Sequence, residues 1–139
     1  MSPVLMPEFG VFDLARSLDF YISTLGFSVL YEREGFACVD LNGARLMLEE
    51  IGPTSWMVAP AEPPLGRGMH LQIMVQDVDT LAARVPSHFI GVEDVWYRAG
   101  PLFLGQRQFV VTDPDGYLLR FAQSLGSSTQ PPDGTRIAA

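Results

Sequence analysis

Few residues of this 139-residue chain have types suited to covalent chemistry. The single cysteine, Cys38, stands in an apolar stretch without an acid–base partner beside it, and it excludes an internal disulfide. No Gly-x-Ser-x-Gly elbow and no phosphate-cradling glycine loop occurs, so nucleophilic and phosphoryl chemistry lack a carrier. What remains is a set of polar side chains alternating with apolar ones. Alternation separates His70, Gln72, Met74 and Gln76 from Leu71, Ile73 and Val75. It likewise separates Met47 and Glu49 from Leu46 and Leu48, and Leu118 and Arg120 from Leu119 and Phe121. A face carrying Met, Gln, His, Glu and Arg suits a polar organic ligand with apolar parts. Arg120 has a second reading, as an interior cation paired with an acid such as Glu8. Trp56, Trp96 and Tyr97 add aromatic surface able to stack on a planar heteroaromatic group, although core packing is the commoner role of a tryptophan. His88, near Pro86, and Cys38 are read as structural.

A repeated unit positions these side chains. Asp13 and Asp77, 64 residues apart, each follow an apolar strand and precede a helical pattern, where a carboxylate caps free amides. After Asp13, the residues Leu14, Leu18, Tyr21, Ile22 and Leu25 recur at helical spacing up to Gly26, and the second helix closes before Pro86. Phe36, Asp40, Gly43, Leu46 and Leu48 reappear 73 residues later as Phe109, Asp113, Gly116, Leu119 and Phe121, each set reading as a hairpin about an Asp-x-x-Gly turn. Nine extra residues therefore separate helix from hairpin in the second copy. The chain reads as one α+β domain over 4–124, built of modules at about 4–51 and 69–124. Residues 52–68, with four prolines, form a linker in which Trp56 and Met57 are expected to pack; residues 126–139 are expected to be a disordered tail.

Charge narrows the partners. Nine arginines, no lysine and sixteen acids give a net charge of −7, which argues against nucleic acid and is compatible with a neutral or cationic ligand. No apolar run approaches the ~20 residues that span a bilayer, so no membrane partner is expected. The first residues carry neither a basic region nor an apolar segment, and the expected address is cytoplasmic.

Asp13-Leu-Ala-Arg-Ser-Leu-Asp-Phe-Tyr-Ile-Ser-Thr-Leu-Gly-Phe27 resembles the opening helix of the vicinal oxygen chelate superfamily. His70-Leu-Gln-Ile-Met-Val-Gln-Asp-Val-Asp79 and Thr112-Asp-Pro-Asp-Gly-Tyr-Leu-Leu-Arg-Phe121 resemble its second module. Pro7-Glu8, Leu46-Met-Leu-Glu49, Trp96-Tyr-Arg98 and Gly105-Gln-Arg-Gln-Phe109 are most similar to its bleomycin resistance group. The resemblance implies two βαβββ modules in a paired-sheet, half-barrel-like fold. It also implies that the metal of the superfamily's enzymes would be held from Met6, Met47, His70 and Arg120. Of these only His70 is an ordinary ligand for a divalent ion. A displaced set of His70 with Glu8 and Glu49 is the remaining metal option, since alternation puts Glu8 and Glu49 on the faces of Met6 and Met47.

The expected function is accordingly non-catalytic sequestration, without cofactor, of a small or medium-sized cationic molecule such as a bleomycin-type antibiotic. In that group the resemblance implies a homodimer whose clefts hold the drug by aromatic contact and acidic complementarity. The expected ligand contacts are Glu8, Met47, Glu49, Trp56, His70, Gln72, Trp96, Tyr97, Arg98 and Arg120. The rivals are a metal-dependent lyase or dioxygenase of the glyoxalase type and a binder of an unrelated metabolite.

Overall fold

A computed structural model of the chain describes residues 3–138; Met1, Ser2 and Ala139, on which parts of the leader and tail readings fall, lie outside them. Local signals decide where the elements begin. Asp13 has extended backbone, and its carboxylate accepts the Arg16 amide at 3.1 Å to start α1 (Leu14–Leu18). Glu50, at the end of β4 (Ala44–Glu50), accepts the Leu14 amide at 3.1 Å, so two carboxylates satisfy different amides of the same first turn. Beyond Leu18 the expected single helix widens into a π-helical turn, Asp19–Thr24, in which the Leu25 amide reaches Phe20 O at 3.0 Å. The widening leaves both Tyr21 and Leu25 fully buried. In α2 (Val78–Arg84) the cap is repeated: Asp77 accepts the Thr80 amide at 3.1 Å and its hydroxyl at 2.7 Å.

The chain divides into two compact units, Met1–Met69 joined by Asp113–Tyr117, and His70–Thr112 with Leu118–Ala139. The first holds β1 (Glu8–Val11), β2 (Ser28–Arg33), β3 (Phe36–Leu41) and β4 in the order β1-β4-β3-β2. The second holds β5 (His70–Met74), β6 (Ile90–Ala99), β7 (Leu102–Thr112), β8 (Leu118–Ser128) and β9 (Arg136–Ala138) in the order β5-β8-β7-β6-β9. Setting β9 aside, strand order repeats, and β1 and β5 lie parallel to β4 and β8. Two βαβββ modules therefore underlie the α+β architecture. The nine additional residues lengthen β6 and β7 to ten and eleven residues.

Each sheet buries one face. Phe9, Val11, Ala37, Val39, Leu46 and Leu48 lie with Tyr21 and Leu25 in the first core. Ile73, Phe109, Val111, Leu119 and Phe121 lie with Val78 and Leu81 in the second. Burial of each large apolar side chain contributes about 1.5–3 kcal/mol before entropy is charged against it. Asn42 and Gly43, both at positive φ (50° and 97°), make the β3–β4 hairpin a primed turn whose twist suits its strands. Gly105 has a different reason: a Cβ there would lie 2.6 Å from the Trp96 ring, which packs flat over it.

The turn between β7 and β8 is tied to the first unit by side-chain hydrogen bonds from several elements. Asp113 is 4% exposed and accepts Tyr21 Oη at 2.8 Å and the Asp115 and Tyr117 amides at 2.9 Å. Asp115 accepts Arg16 Nη2 at 2.6 Å and the Phe12 amide at 3.1 Å. Tyr117 stacks on Phe9 at 3.9 Å and donates to Gly10 O at 2.8 Å.

Two expectations are corrected. The tail from 126 is not disordered: β8 runs to Ser128, and β9 pairs in parallel with β6, anchored by Arg136 on Glu93 at 2.8 Å. A sheet edge offers backbone partners to any extended segment, so polar composition did not prevent pairing. In the linker Trp56 does not pack; it is fully exposed, whereas Leu65 is buried and its amide bonds Asp115 O at 2.7 Å.

Burial, with Asp113 and Asp115 alongside, pushes the Tyr117 hydroxyl up to about 12, and burial with the neighbouring Asp113 also raises Tyr21 well above its ordinary value. Both stay neutral in the folded chain while their unfolded counterparts ionise near pH 10, so stability is retained below pH 10 and lost as pH rises towards 12. Spectrophotometric titration is expected to show these two tyrosines ionising only as alkaline unfolding proceeds.

Candidate functional site

Alternation along β1 and β4 puts Glu8 beside Met47 and Gly10 beside Glu49, on the face opposite the first core. With Met6, and with Thr54, Ser55, Trp56 and Met57 from the segment after β4, they line a cavity of about 610 Å³. It lies wholly within the first unit. Its floor continues onto β3, where Phe36 pairs with Glu49 and buried Cys38 with Met47. At Gly10 a Cβ would come within 3.1 Å of Ile51 and 4.0 Å of Met57 Sδ, so the missing side chain lets the Met57 segment approach β1. Three methionines, two carboxylates and an indole that is 100% exposed make a wall that is soft, acidic and aromatic at once.

The carboxylates set its electrostatics. The Glu8 carboxyl is held above its ordinary range, first by a hydrogen bond with Glu49, then by burial and by the Glu49 charge, against the opposing pull of Arg33. Arg33 itself stacks over the Phe36 ring at 3.7 Å. Among the described residues neither Glu8 nor Glu49 has a cation within 4.0 Å. An acid pair without a counter-ion, in a cavity of ligand size, is chemically disposed to accept a cationic group.

The other expected contacts belong to the second unit. His70 and Gln72 are exposed on β5, with Gln72 opposite Arg120 of β8. Arg120 Nη1 donates to Tyr97 Oη at 3.2 Å, and Tyr97 donates onward to Gln108 Oε1 at 2.9 Å. Within the second unit, Arg120 has no carboxylate within 4.0 Å among the described residues. Trp96, 6% exposed, packs over Gly105, and Arg98 reaches the Phe103 ring at 5.5 Å. His88 Nε2 donates to Ala82 O at 3.0 Å, beside the end of α2. The structure thus gathers Glu8, Met47, Glu49 and Trp56 in one cavity. It sets His70, Gln72, Tyr97 and Arg120 on another face, with Trp96 and Arg98 on the reverse side of β6. Gly10, Thr54, Ser55 and Met57 were missed as lining residues; register with Glu8 would have found Gly10, whereas Thr54, Ser55 and Met57 follow from the loop path alone.

A metal does not fit the positions the superfamily's enzymes use. Met6 and Met47 offer neutral thioethers, and Arg120 offers a permanent cation already donating to Tyr97. Among the described residues no group of three or more His, Cys, Asp or Glu side chains is placed to hold an ion.

Two βαβββ repeats, each with its first strand parallel to its last, define the vicinal oxygen chelate architecture. The family model of the Glyoxalase/Bleomycin resistance protein/Dioxygenase superfamily matches residues 5–121, and the chain belongs to that superfamily. Proteins named bleomycin resistance protein from Geobacillus stearothermophilus and from Staphylococcus aureus are each 27% identical to it over 135 residues, covering 88% of this chain and 97% of theirs. A solved protein of unknown function from Agrobacterium tumefaciens is similar with a TM-score of 0.68 and 26% identity, covering 90% of this chain and 96% of that one. TioX from Micromonospora has the same fold, with a TM-score of 0.65 at 22% identity over 89% of this chain and all of its own. No helix among the described residues is long and apolar enough to cross a membrane.

Replacing Glu8 by Gln is expected to stabilise the chain at neutral pH. A carboxyl raised in the folded state costs stability as pH climbs through its unfolded and then its folded value, and costs nothing below both. Urea denaturation should therefore show the Glu8→Gln gain at pH 7 and its disappearance below pH ~4.

Proposed function

We propose that this chain is a non-catalytic binding protein that sequesters a cationic, partly planar molecule of small to medium size, of the bleomycin type. The observation that carries the proposal is the first-unit cavity, where the unpaired Glu8 and Glu49 lie beside the exposed Trp56. The acid pair attracts and orients positive charge, the indole stacks on a planar ring, and Met6 and Met47 adapt to irregular apolar parts. The net charge of −7 favours encounter with a cation before any contact forms. Likeness at 27% identity to proteins named bleomycin resistance protein supports the same ligand class. The proposal includes a cytoplasmic homodimer, for which β2 supplies an edge strand with Val29, Leu30 and Tyr31 exposed.

Calorimetric titration of the chelator-treated chain with copper-loaded bleomycin tests it. Micromolar or tighter binding at about one drug per chain, without product, is the expected result. Glu8→Gln with Glu49→Gln, and separately Trp56→Ala, should each weaken binding by about tenfold or more. Affinity should fall on acidification earlier than an ordinary carboxylate would dictate, because Glu8 takes up its proton at higher pH. Absence of heat at high drug concentration would remove the drug and leave a metabolite ligand; conversion of the ligand would carry the rival enzymatic reading. Sedimentation equilibrium should report twice the 15.3 kDa chain mass, and a single chain mass would remove the dimer.

A further inference from the structure

Arg120 is a half-buried permanent cation whose charge nothing in its own surroundings balances. Its Nη1 donates to Tyr97 Oη at 3.2 Å, and its guanidinium lies 5.6 Å from the Tyr97 ring centroid. The hydrogen bonds then run from Tyr97 to Gln108 at 2.9 Å and from Gln108 to Glu93 at 3.4 Å. Glu93, the acid at the end of this chain, is already paired with Arg136 at 2.8 Å. Negative charge on the β6–β7 side is therefore matched before it reaches Arg120, and no carboxylate among the described residues lies within 4.0 Å of it. Arg120 Nε is buried without an acceptor. With Nη1 engaged, the edge formed by Nε and Nη2 is the unfilled one. That edge presents two parallel N–H donors in one plane, the geometry that a carboxylate matches with its two oxygens. Gln72, in register with Arg120 on β5, is exposed and bonds within the described residues only to Met74 Sδ at 3.4 Å, leaving its amide available.

We propose that Arg120 and Gln72 form a carboxylate-binding subsite on the face of the second sheet that carries Tyr97. Arg120 supplies the charge and a two-pronged contact, Tyr97 fixes its plane, and Gln72 donates from the neighbouring strand. The subsite takes an anionic group where the superfamily's enzymes would place a metal ligand, and it stands whether or not the cationic ligand of the first unit is correct.

The full chain, labelled with 15N at its arginine side chains, would be titrated with acetate and separately with inorganic phosphate at constant ionic strength. Nuclear magnetic resonance follows the Nε–H signals of Arg120, Arg98 and Arg136, the last two serving as internal controls. The expected result is a saturable acetate-induced shift at Arg120, half-complete at a concentration about tenfold below any response of the controls, with phosphate weaker. In uniformly 15N-labelled Arg120→Lys the acetate response read at the Gln72 backbone amide should be about tenfold weaker than in the uniformly labelled parent chain, since an ammonium lacks the planar fork. An Arg120 signal that moves no earlier than those of Arg98 and Arg136 overturns the subsite, and that comparison needs no variant. A phosphate response equal to or tighter than that of acetate overturns the assignment to a carboxylate.

Discussion

The Asp113 carboxylate is the constraint on which the geometry of the first unit depends. One buried side chain satisfies a tyrosine hydroxyl and two backbone amides, and so holds the 113–117 turn in a single conformation. Burial raises the carboxyl, and the hydrogen bonds from Tyr117, Tyr21 and Asp115 oppose that rise in place of a cation. Fixed in this way, the turn presents Tyr117, whose ring stacks on Phe9 and whose hydroxyl grips Gly10 O. Those contacts seat β1, and β1 carries Glu8. The position of an exposed acid in the cavity is thus traceable to a buried acid more than a hundred residues later in sequence.

Composition alone treats all acids as equal, but their surroundings give them separate tasks. Asp113 and Asp115 organise a turn; Asp13, Asp77 and Glu50 satisfy helix amides. Asp79 and Asp94 share Arg107, Asp40 holds Arg45, and Glu93 holds Arg136. Exposed pairs of this kind contribute about 0–1 kcal/mol each and chiefly neutralise charge. Glu8 and Glu49 instead face each other, and the hydrogen bond between them keeps Glu8 easier to protonate than an isolated glutamate. Arg120 presents the opposite condition, a cation whose polar contacts lead only to acids already matched.

Much of the fold was legible because it rests on local signals. The capping aspartates, the Asp40 and Asp113 turns and the alternation of β4 and β8 act within a few residues, and the offsets of 64 and 73 located both modules. The acidic part of the cavity followed from the same alternation. What escaped depends on contacts made far along the chain. Trp56 is exposed because its segment is held at Leu65 and not at the indole, and nothing in its composition distinguishes the two outcomes. The π-helical turn answers to the packing of Tyr21 and Leu25 rather than to helix propensity, which favours an unbroken α-helix there. β9 forms through its backbone, which carries no side-chain signature, and Trp96 needed the bare Gly105 opposite it, a pairing visible only once register is known.

The inclusion of residues 113–117 in the first unit bears on the order in which the protein can be made. A ribosome releases the chain from its N-terminus, so β1 to β4 emerge well before the residues that supply Asp113, Asp115 and Tyr117. Until then Tyr21 has no acceptor, Arg16 no counter-ion and Phe9 no ring above it. The nascent first module is a structure in waiting, completed only when translation has passed the β7–β8 turn. A gene cut after residue 69 would encode every strand of that sheet and still omit the piece that locks it.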